Sequence, residues 1–368
     1  MNKRKNIIIT VLFFMFIFIF SALLILKPQE AFSESERREL KGFPELSTES
    51  VLSGEFSKEF EEYSQDRFPL RDTFRQIKAW FSTKIFNKLD NNGLFVADGH
   101  ISKIDSKKNH EMMDYAADKF AYIFDTYLKD KDVKVYFSIV PDKNFVLAPS
   151  NGYPSLNYDS FIEEMKEKTS YMQYIEVRDL LELDDYYTTD THWRQEKIID
   201  VADRLVSGMG NSLTEDVYKE NTLEVPFNGV YKGQLAMNFK PDEIIYLTNE
   251  TIDNAKITYY DTGIPKEGDM YNMKKASGKD PYEMFLSGTS PLITIENPFI
   301  DNDRELVLFR DSFGSSMAPI MTSAYKKITL VDIRYIQSAF IGNFVKFHNQ
   351  DVLFLYSTTL LNNSLALK

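Results

Sequence analysis

The sequence contains no cysteine, which excludes thiolate nucleophiles, disulfides, cysteine-based zinc sites and a lipidated cysteine anchor, and leaves the redox compartment open. Histidine is scarce, with only His100, His110, His192 and His348 available as imidazole bases or ligands. Positive charge is in deficit: 43 Lys and Arg stand against 55 Asp and Glu, for a formal net charge of −12. A nucleic-acid partner is therefore not expected, because phosphate binding needs clustered cations. Internal repeats and low-complexity tracts are absent too. Aromatic residues are plentiful: 29 Phe and 21 Tyr in 368 residues argue against disorder over most of the length. The apolar content is enough for one large domain, or a domain with a small satellite.

Long apolar runs are confined to the start. Basic Lys3, Arg4 and Lys5 precede Ile7 to Leu26, which is apolar except for Thr10 and Ser21. At about 1.5 Å per residue such a run spans about 30 Å, the hydrocarbon thickness of a bilayer. Leu23 to Pro28 offers no small-x-small cleavage site. An uncleaved single-pass anchor is expected, with 1–6 cytoplasmic, 7–26 in the membrane and the remainder extracytoplasmic, since basic residues stay inside. The alternative is a long signal sequence cleaved near Ala31.

A polar tether follows from Lys27 to Arg38, and 27–90 as a whole reads as tether and amphipathic helices. Apolar residues recur at three- and four-residue intervals from Leu52 to Ile85, with Pro69 ending or kinking the first helix near Arg67. Asn91-Asn92-Gly93 and Asp98-Gly99 mark the turns of a short hairpin. From 91 to 368 the pattern predicts an α/β domain. Helices are expected over 111–128, 158–171, 196–209 and 315–325. Strands are expected over 133–140, 175–177, 292–295, 306–309, 328–331 and 351–356. The segment from about 221 to 291 changes character, with short strand-like pieces between polar turns, and reads as a β-rich insertion.

Two stretches carry chemistry. Thr189-Asp190-Thr191-His192-Trp193 places a carboxylate two residues before an imidazole. Leu306 to Ser315 runs from an apolar strand into Asp311-Ser312, with small residues opening a helix behind it. A serine at such a helix start has its hydroxyl exposed beside backbone N–H groups that can hold an oxyanion. If His192 takes the proton of Ser312 and Asp190 fixes its tautomer, the chain has a complete nucleophilic triad. Plainer roles exist for each: Ser312 or Asp311 as a helix N-cap, His192 as a packed core residue beside Trp193, Asp190 as a cap for the next helix. A metal site at Asp190 and His192 is disfavoured, because no further ligand shows suitable spacing. Lys143 and Asn144 follow the carboxyl end of a strand, where α/β sites lie, and are candidate substrate contacts or a solvated turn. Arg334 either meets negative charge on the substrate or pairs with Asp332.

These stretches resemble the cell-surface DHHW proteins and their relatives AlgJ and AlgX. The resemblance also takes in Tyr63-Ser64-Gln65-Asp66-Arg67-Phe68-Pro69-Leu70-Arg71, Gly93-Leu94-Phe95, Val140-Pro141-Asp142-Lys143 and Val331-Asp332-Ile333-Arg334-Tyr335. It implies an SGNH hydrolase-like parallel sheet flanked by helices, circularly permuted so that the serine follows Asp and His. It also implies O-acetylation of exported polysaccharides, beside a membrane-bound O-acyltransferase that supplies acetyl groups. Two departures stand out. Thr191 precedes His192, as the resemblance to AlgJ and AlgX implies, where Gram-positive members usually have a second histidine. Arg310 stands where SGNH enzymes place glycine, which removes that motif's usual basis for assigning an oxyanion donor.

The expected function is that of a membrane-anchored O-acetyltransferase or acetylesterase acting through an acetyl-serine, with Ser312, His192 and Asp190 catalytic and no cofactor. A carbohydrate deacetylase and a non-catalytic polysaccharide-binding scaffold are the alternatives.

Overall fold

The strands around the candidate serine are continuous runs of Val, Ile, Leu and Phe, the composition of strands buried on both faces. The computed structural model describes residues 3–26, 31–33, 36, 38–214 and 217–368. Residues 27–30, 34, 35 and 37 of the expected tether, and Met1 and Asn2 of the expected cytoplasmic end, lie outside the described residues. The chain divides into two units, Met1–Asn92 with Lys232–Phe239, and Gly93–Tyr231 with Lys240–Lys368.

The first unit is helical. Helix Lys3–Leu26 contains a stretch, Lys3–Leu24, long and apolar enough to cross a membrane. Helices Thr48–Leu52, Glu55–Arg67 and Arg71–Trp80 follow, the last continuing as a π-helical turn over Phe81–Ile85. The first of these is started by a capping box between Ser47 and Ser50. Chain reversal between Glu55–Arg67 and Arg71–Trp80 passes through Pro69 and through Leu70, whose φ of 58° is left-handed. Asp66 organises the approach to this bend, accepting from Arg38 and from the Lys41 amide. The hydrogen bond from Arg38 holds the Asp66 carboxyl well below its ordinary range. Segment Lys232–Phe239 is tied in through its carbonyls, with Gly233 O accepting from Arg75 and Leu235 O from Asn91.

The second unit is built on an eight-stranded sheet. In chain order its strands are Lys134–Val140 (β1), Gln173–Tyr174 (β2), Lys256–Tyr259 (β3), Lys266–Gly268 (β4), Leu292–Glu296 (β5), Glu305–Arg310 (β6), Lys327–Val331 (β7) and Asp351–Ser357 (β8). Their spatial order is β4-β3-β5-β7-β6-β8-β1-β2. From β7 to β2 neighbouring strands are parallel, and from β7 outward to β4 they are antiparallel. The expected parallel sheet is thus extended on one side by antiparallel strands. Two of these, β3 and β4, come from the segment expected as a β-rich insertion. They are joined by a short turn, which requires antiparallel pairing.

Side chains alternate across this sheet with the two-residue period of a strand. Leu306 and Leu308 of β6, with Leu353 and Leu355 of β8, face one core layer. That layer is covered by helices Ile199–Gly208 and Phe313–Met321. Val307 and Phe309, with Val352, Phe354 and Tyr356, face the other. Helices His110–Ile123 and Tyr158–Lys168 cover it. The expected hairpin is present as Leu94–Ala97 and His100–Lys103, turning through Asp98 and Gly99 at positive φ. Where the sequence suggests a turn at Lys143 and Asn144, the structure has the start of helix Asn144–Asn151. Its amides follow directly on Asp142 and Lys143 at the end of β1.

Candidate active site

Strand β6 delivers Asp311 and Ser312 to the head of helix Phe313–Met321. The capping role falls to Asp311: its Oδ1 accepts from Phe313 N at 3.0 Å and its Oδ2 from Ser357 N at 2.8 Å. Ser312 makes no side-chain cap, and its half-buried hydroxyl lies 2.7 Å from His192 Nε2. Behind it the fully buried Arg310 donates to Ser315 Oγ at 3.0 Å and pairs with Asp332 at 3.4 Å. Burial pushes the Arg310 guanidinium below its ordinary value. Gly314 is required here, since a Cβ would lie 2.6 Å from Arg310 Cβ.

The histidine sits on a tight loop closed by an antiparallel bridge between Tyr186 and Trp193 and by Tyr187 N–H donating to His192 O at 3.1 Å. Asp242 holds the loop from outside, accepting from the amides of Thr188 and Thr189 at 2.9 and 2.8 Å. His192 Nδ1 is 2.7 Å from Asp190 Oδ1, and the other carboxylate oxygen accepts from Val230 N at 2.8 Å. A buried Asp190 therefore acts as acceptor towards Nδ1–H, which leaves Nε2 unprotonated and facing the serine hydroxyl. Backbone approach at Gly229 makes this possible: a Cβ there would lie 2.1 Å from Thr189 O.

Two aromatic residues fix the imidazole plane. Tyr282 stacks on His192 with ring centres 3.9 Å apart and planes 9° apart, and Phe313 packs at 5.2 Å. The Tyr282 hydroxyl and the Trp193 indole both reach Ser316 Oγ, each at 2.9 Å. Trp193 Nε1 also donates to Phe313 O at 3.2 Å, so the histidine loop is bonded to the nucleophile helix. Gln195 adds a third tie, donating to Ser316 O at 2.9 Å. Tyr282, Gln195, Val230 and Asp242 were not singled out from the sequence. Each acts through a long-range contact that leaves no local spacing signal.

The structure brings Ser312, His192 and Asp190 together. The three expected substrate contacts are engaged within the protein. Lys143 is buried, with Nζ donating to Tyr187 O at 2.6 Å and Thr188 O at 3.3 Å, beneath the loop that carries Asp190. Asn144 donates to the carbonyl of Lys103. Arg334 pairs with Asp332 through Nε and Nη2 at 2.9 and 2.6 Å. Among the described residues, no group of three or more His, Asp or Glu is arranged to hold a metal ion.

With this geometry in view, the structure can be set beside known proteins. No protein-family model matches the sequence, and the comparison with curated proteins gives no match. Among solved structures, a DHHW family protein from Eubacterium siraeum is similar with a TM-score of 0.59 and 23% identity, over 74% of this chain and 93% of that one. PatB1 of Bacillus cereus, solved with a sulfonyl adduct, is similar with a TM-score of 0.55 and 19% identity, over 73% and 95%. The O-acetyltransferase domain of Pseudomonas putida AlgJ is a more distant likeness, with a TM-score of 0.45 and 12% identity over 73% and 92%. The chain has the α/β fold of SGNH-like proteins. More narrowly, it shares that fold with a DHHW family protein and with PatB1.

Two outcomes follow from the packing of the histidine loop. Gly229→Ala is expected to lower unfolding stability by about 2 kcal/mol or more, because the clash is with backbone; an unchanged denaturation midpoint would contradict the close approach. Burial lowers the Lys143 pKa from 10.5 to about 7. Between those values the unfolded chain binds more protons, so this residue's contribution to stability rises with pH and is least favourable below about 7. Denaturation of wild type and Lys143→Met at about pH 6.5 and about pH 9.5 should show the wild type gaining on the variant as pH rises. Parallel pH dependences would contradict the lowered pKa of the buried lysine.

Proposed function

We propose that the chain is a membrane-anchored, extracytoplasmic, serine-dependent O-acetyltransferase or acetylesterase acting on an exported or cell-wall polysaccharide. The observation that carries the reading is the continuous relay from Ser312 Oγ through His192 to Asp190, 2.7 Å at each step. The helix Lys3–Leu26, which opens on the basic residues Lys3, Arg4 and Lys5, supports anchoring with the second unit outside. The sulfonyl adduct in PatB1, a protein of the same fold, is consistent with a nucleophile on this architecture.

In this mechanism His192 Nε2 removes the proton from Ser312 as Oγ attacks the carbonyl carbon of an acetyl ester. Collapse of the tetrahedral adduct breaks the ester C–O bond, and the departing alcohol takes the proton from His192. An acceptor hydroxyl then gives its proton to His192 and attacks the acetyl-serine. Ser312 leaves as alkoxide and recovers the proton. Asp190 keeps the imidazole in the accepting tautomer and stabilises the imidazolium. Of the amides at the helix head, Phe313 N–H is taken by Asp311 Oδ1, Gly314 N–H by Asp311 O and Ser315 N–H by Ser312 O. The Ser312 N–H is the donor this reading assigns to the oxyanion.

Transferase and esterase differ only in the final nucleophile, a sugar hydroxyl or water. An acetyl ester offered with and without an oligosaccharide acceptor separates them: acetyl on the sugar marks transfer, and acetate alone marks hydrolysis. Ser312→Ala is expected to reduce either product by about 10³-fold or more, and Asp190→Asn by about 10² to 10⁴-fold. Undiminished acetylation by Ser312→Ala would instead favour a polysaccharide-binding scaffold. The acetyl donor in this reading is supplied by a membrane-bound O-acyltransferase.

A further inference from the structure

The helical unit carries a surface that the catalytic reading does not use. Helix Arg71–Trp80 and its extension Phe81–Ile85 place Phe74, Ile77, Phe81 and Ile85 at three- and four-residue spacing, on one face. With Trp80 beside them, these side chains are each between 42% and 52% exposed. Five large apolar groups open to water along four turns would cost a soluble surface heavily and mark an interaction face.

Charge and depth identify what covers it. Residues 71–88 contain Arg71, Arg75, Lys78, Lys84 and Lys88 against the single acid Asp72, inside a chain of net charge −12. Arg71 and Arg75 pair with Glu36, so the basic surplus of this stretch rests on Lys78, Lys84 and Lys88. Bulky apolar residues with Trp and flanking lysines are the composition of helices that lie in the headgroup layer of anionic membranes. The apolar helix of the same unit supplies the depth. Its Phe20 stacks on Phe68 with ring centres 5.3 Å apart and meets Phe74 at 6.2 Å. Phe20 lies four residues inside the end of the stretch Lys3–Leu24, about 6 Å along a helix axis. Side chains touching it must therefore sit at the acyl–headgroup boundary, within the roughly 5–10 Å that interfacial helices reach.

We propose that helix Arg71–Trp80 and its π-helical extension lie in the outer headgroup layer of the bilayer that the anchor enters, with Phe74, Ile77, Phe81 and Ile85 among the acyl chains. This rests on the reading of Lys3–Leu26 as an uncleaved anchor. It makes the anchor and the interfacial helix a two-point attachment, which limits the rotation that a single spanning helix would permit.

Tryptophan fluorescence tests it on the full chain. The sequence has two tryptophans, and Trp193 is fully buried, so Trp80 reports alone on contact with lipid. The protein is reconstituted in vesicles of phosphatidylcholine and phosphatidylglycerol whose acyl chains are brominated near the headgroup. The emission absent from a Trp80→Phe variant should fall at least twofold in brominated vesicles and resist quenching by aqueous acrylamide. Anchor insertion is measured in parallel by resistance to alkaline extraction. Retention in the membrane without bromolipid quenching would overturn the interfacial helix and leave the anchor standing. Release by alkali would remove the anchor reading and this inference with it. Shielding of Trp80 from both quenchers would assign the face to a protein partner and also overturn the proposal.

Discussion

The structure around the candidate nucleophile depends on holding the His192 imidazole against Ser312 across 120 positions of sequence, at 2.7 Å. Strand β6 and helix Phe313–Met321 place the serine. An irregular loop places the histidine, and a loop alone would not hold an imidazole to the few tenths of an ångström that proton transfer requires. Trp193 and Gln195, immediately after the histidine, remove that freedom by bonding to Ser316 and Phe313 on the nucleophile helix. Tyr282 then confines the ring plane by stacking on it. The serine and the histidine are in this way referred to the same helix.

A second constraint is electrostatic. Asp190 is buried, and the described partners of its carboxylate are backbone amides and the imidazole. Backbone amides hold the carboxylate in place without transferring a proton to it, so it can stabilise the imidazolium that forms during catalysis. Lys143 sits under the same loop but spends its hydrogen bonds on the carbonyls of Tyr187 and Thr188. It fixes the loop's position through those two carbonyls, while its burial disfavours the charged ammonium there. Two arginines share Asp332 on the far side of β6, so the charge of Arg310 is compensated behind the serine.

How much of this was legible in sequence follows the range of each interaction. Strands β1, β5, β6, β7 and β8 announce themselves as unbroken β-branched and aromatic runs, and helices Ile199–Gly208 and Tyr158–Lys168 by their apolar spacing. The serine, histidine and aspartate were legible because two short motifs carry them. The supports were not. Gly229 matters for what its missing Cβ would strike, 40 residues away in sequence, and Tyr282 for a ring it covers 90 residues away. Lys143 reads as a substrate contact or a solvated turn, since nothing local tells a solvated cation from one buried on carbonyls, whereas the Asp332 pairing of Arg334 is one of the two roles its sequence position suggests. The segment 221–291 reads from sequence as β-rich, whereas the structure intersperses its strands with the short helices Val230–Leu235, Glu250–Asp253 and Met273–Ala276, and the pairing of β3 with β5 is not encoded by spacing.

The measurement that bears most directly on the account is covalent labelling of the intact chain with an aryl sulfonyl fluoride, read by mass spectrometry and peptide mapping. Beside the wild type, His192→Ala removes the base while leaving Ser312 in place. The account predicts a single adduct on Ser312 in the wild type, forming at least about 10²-fold more slowly in His192→Ala. An unlabelled Ser312, or labelling at the same rate without His192, would contradict an activated serine at this site.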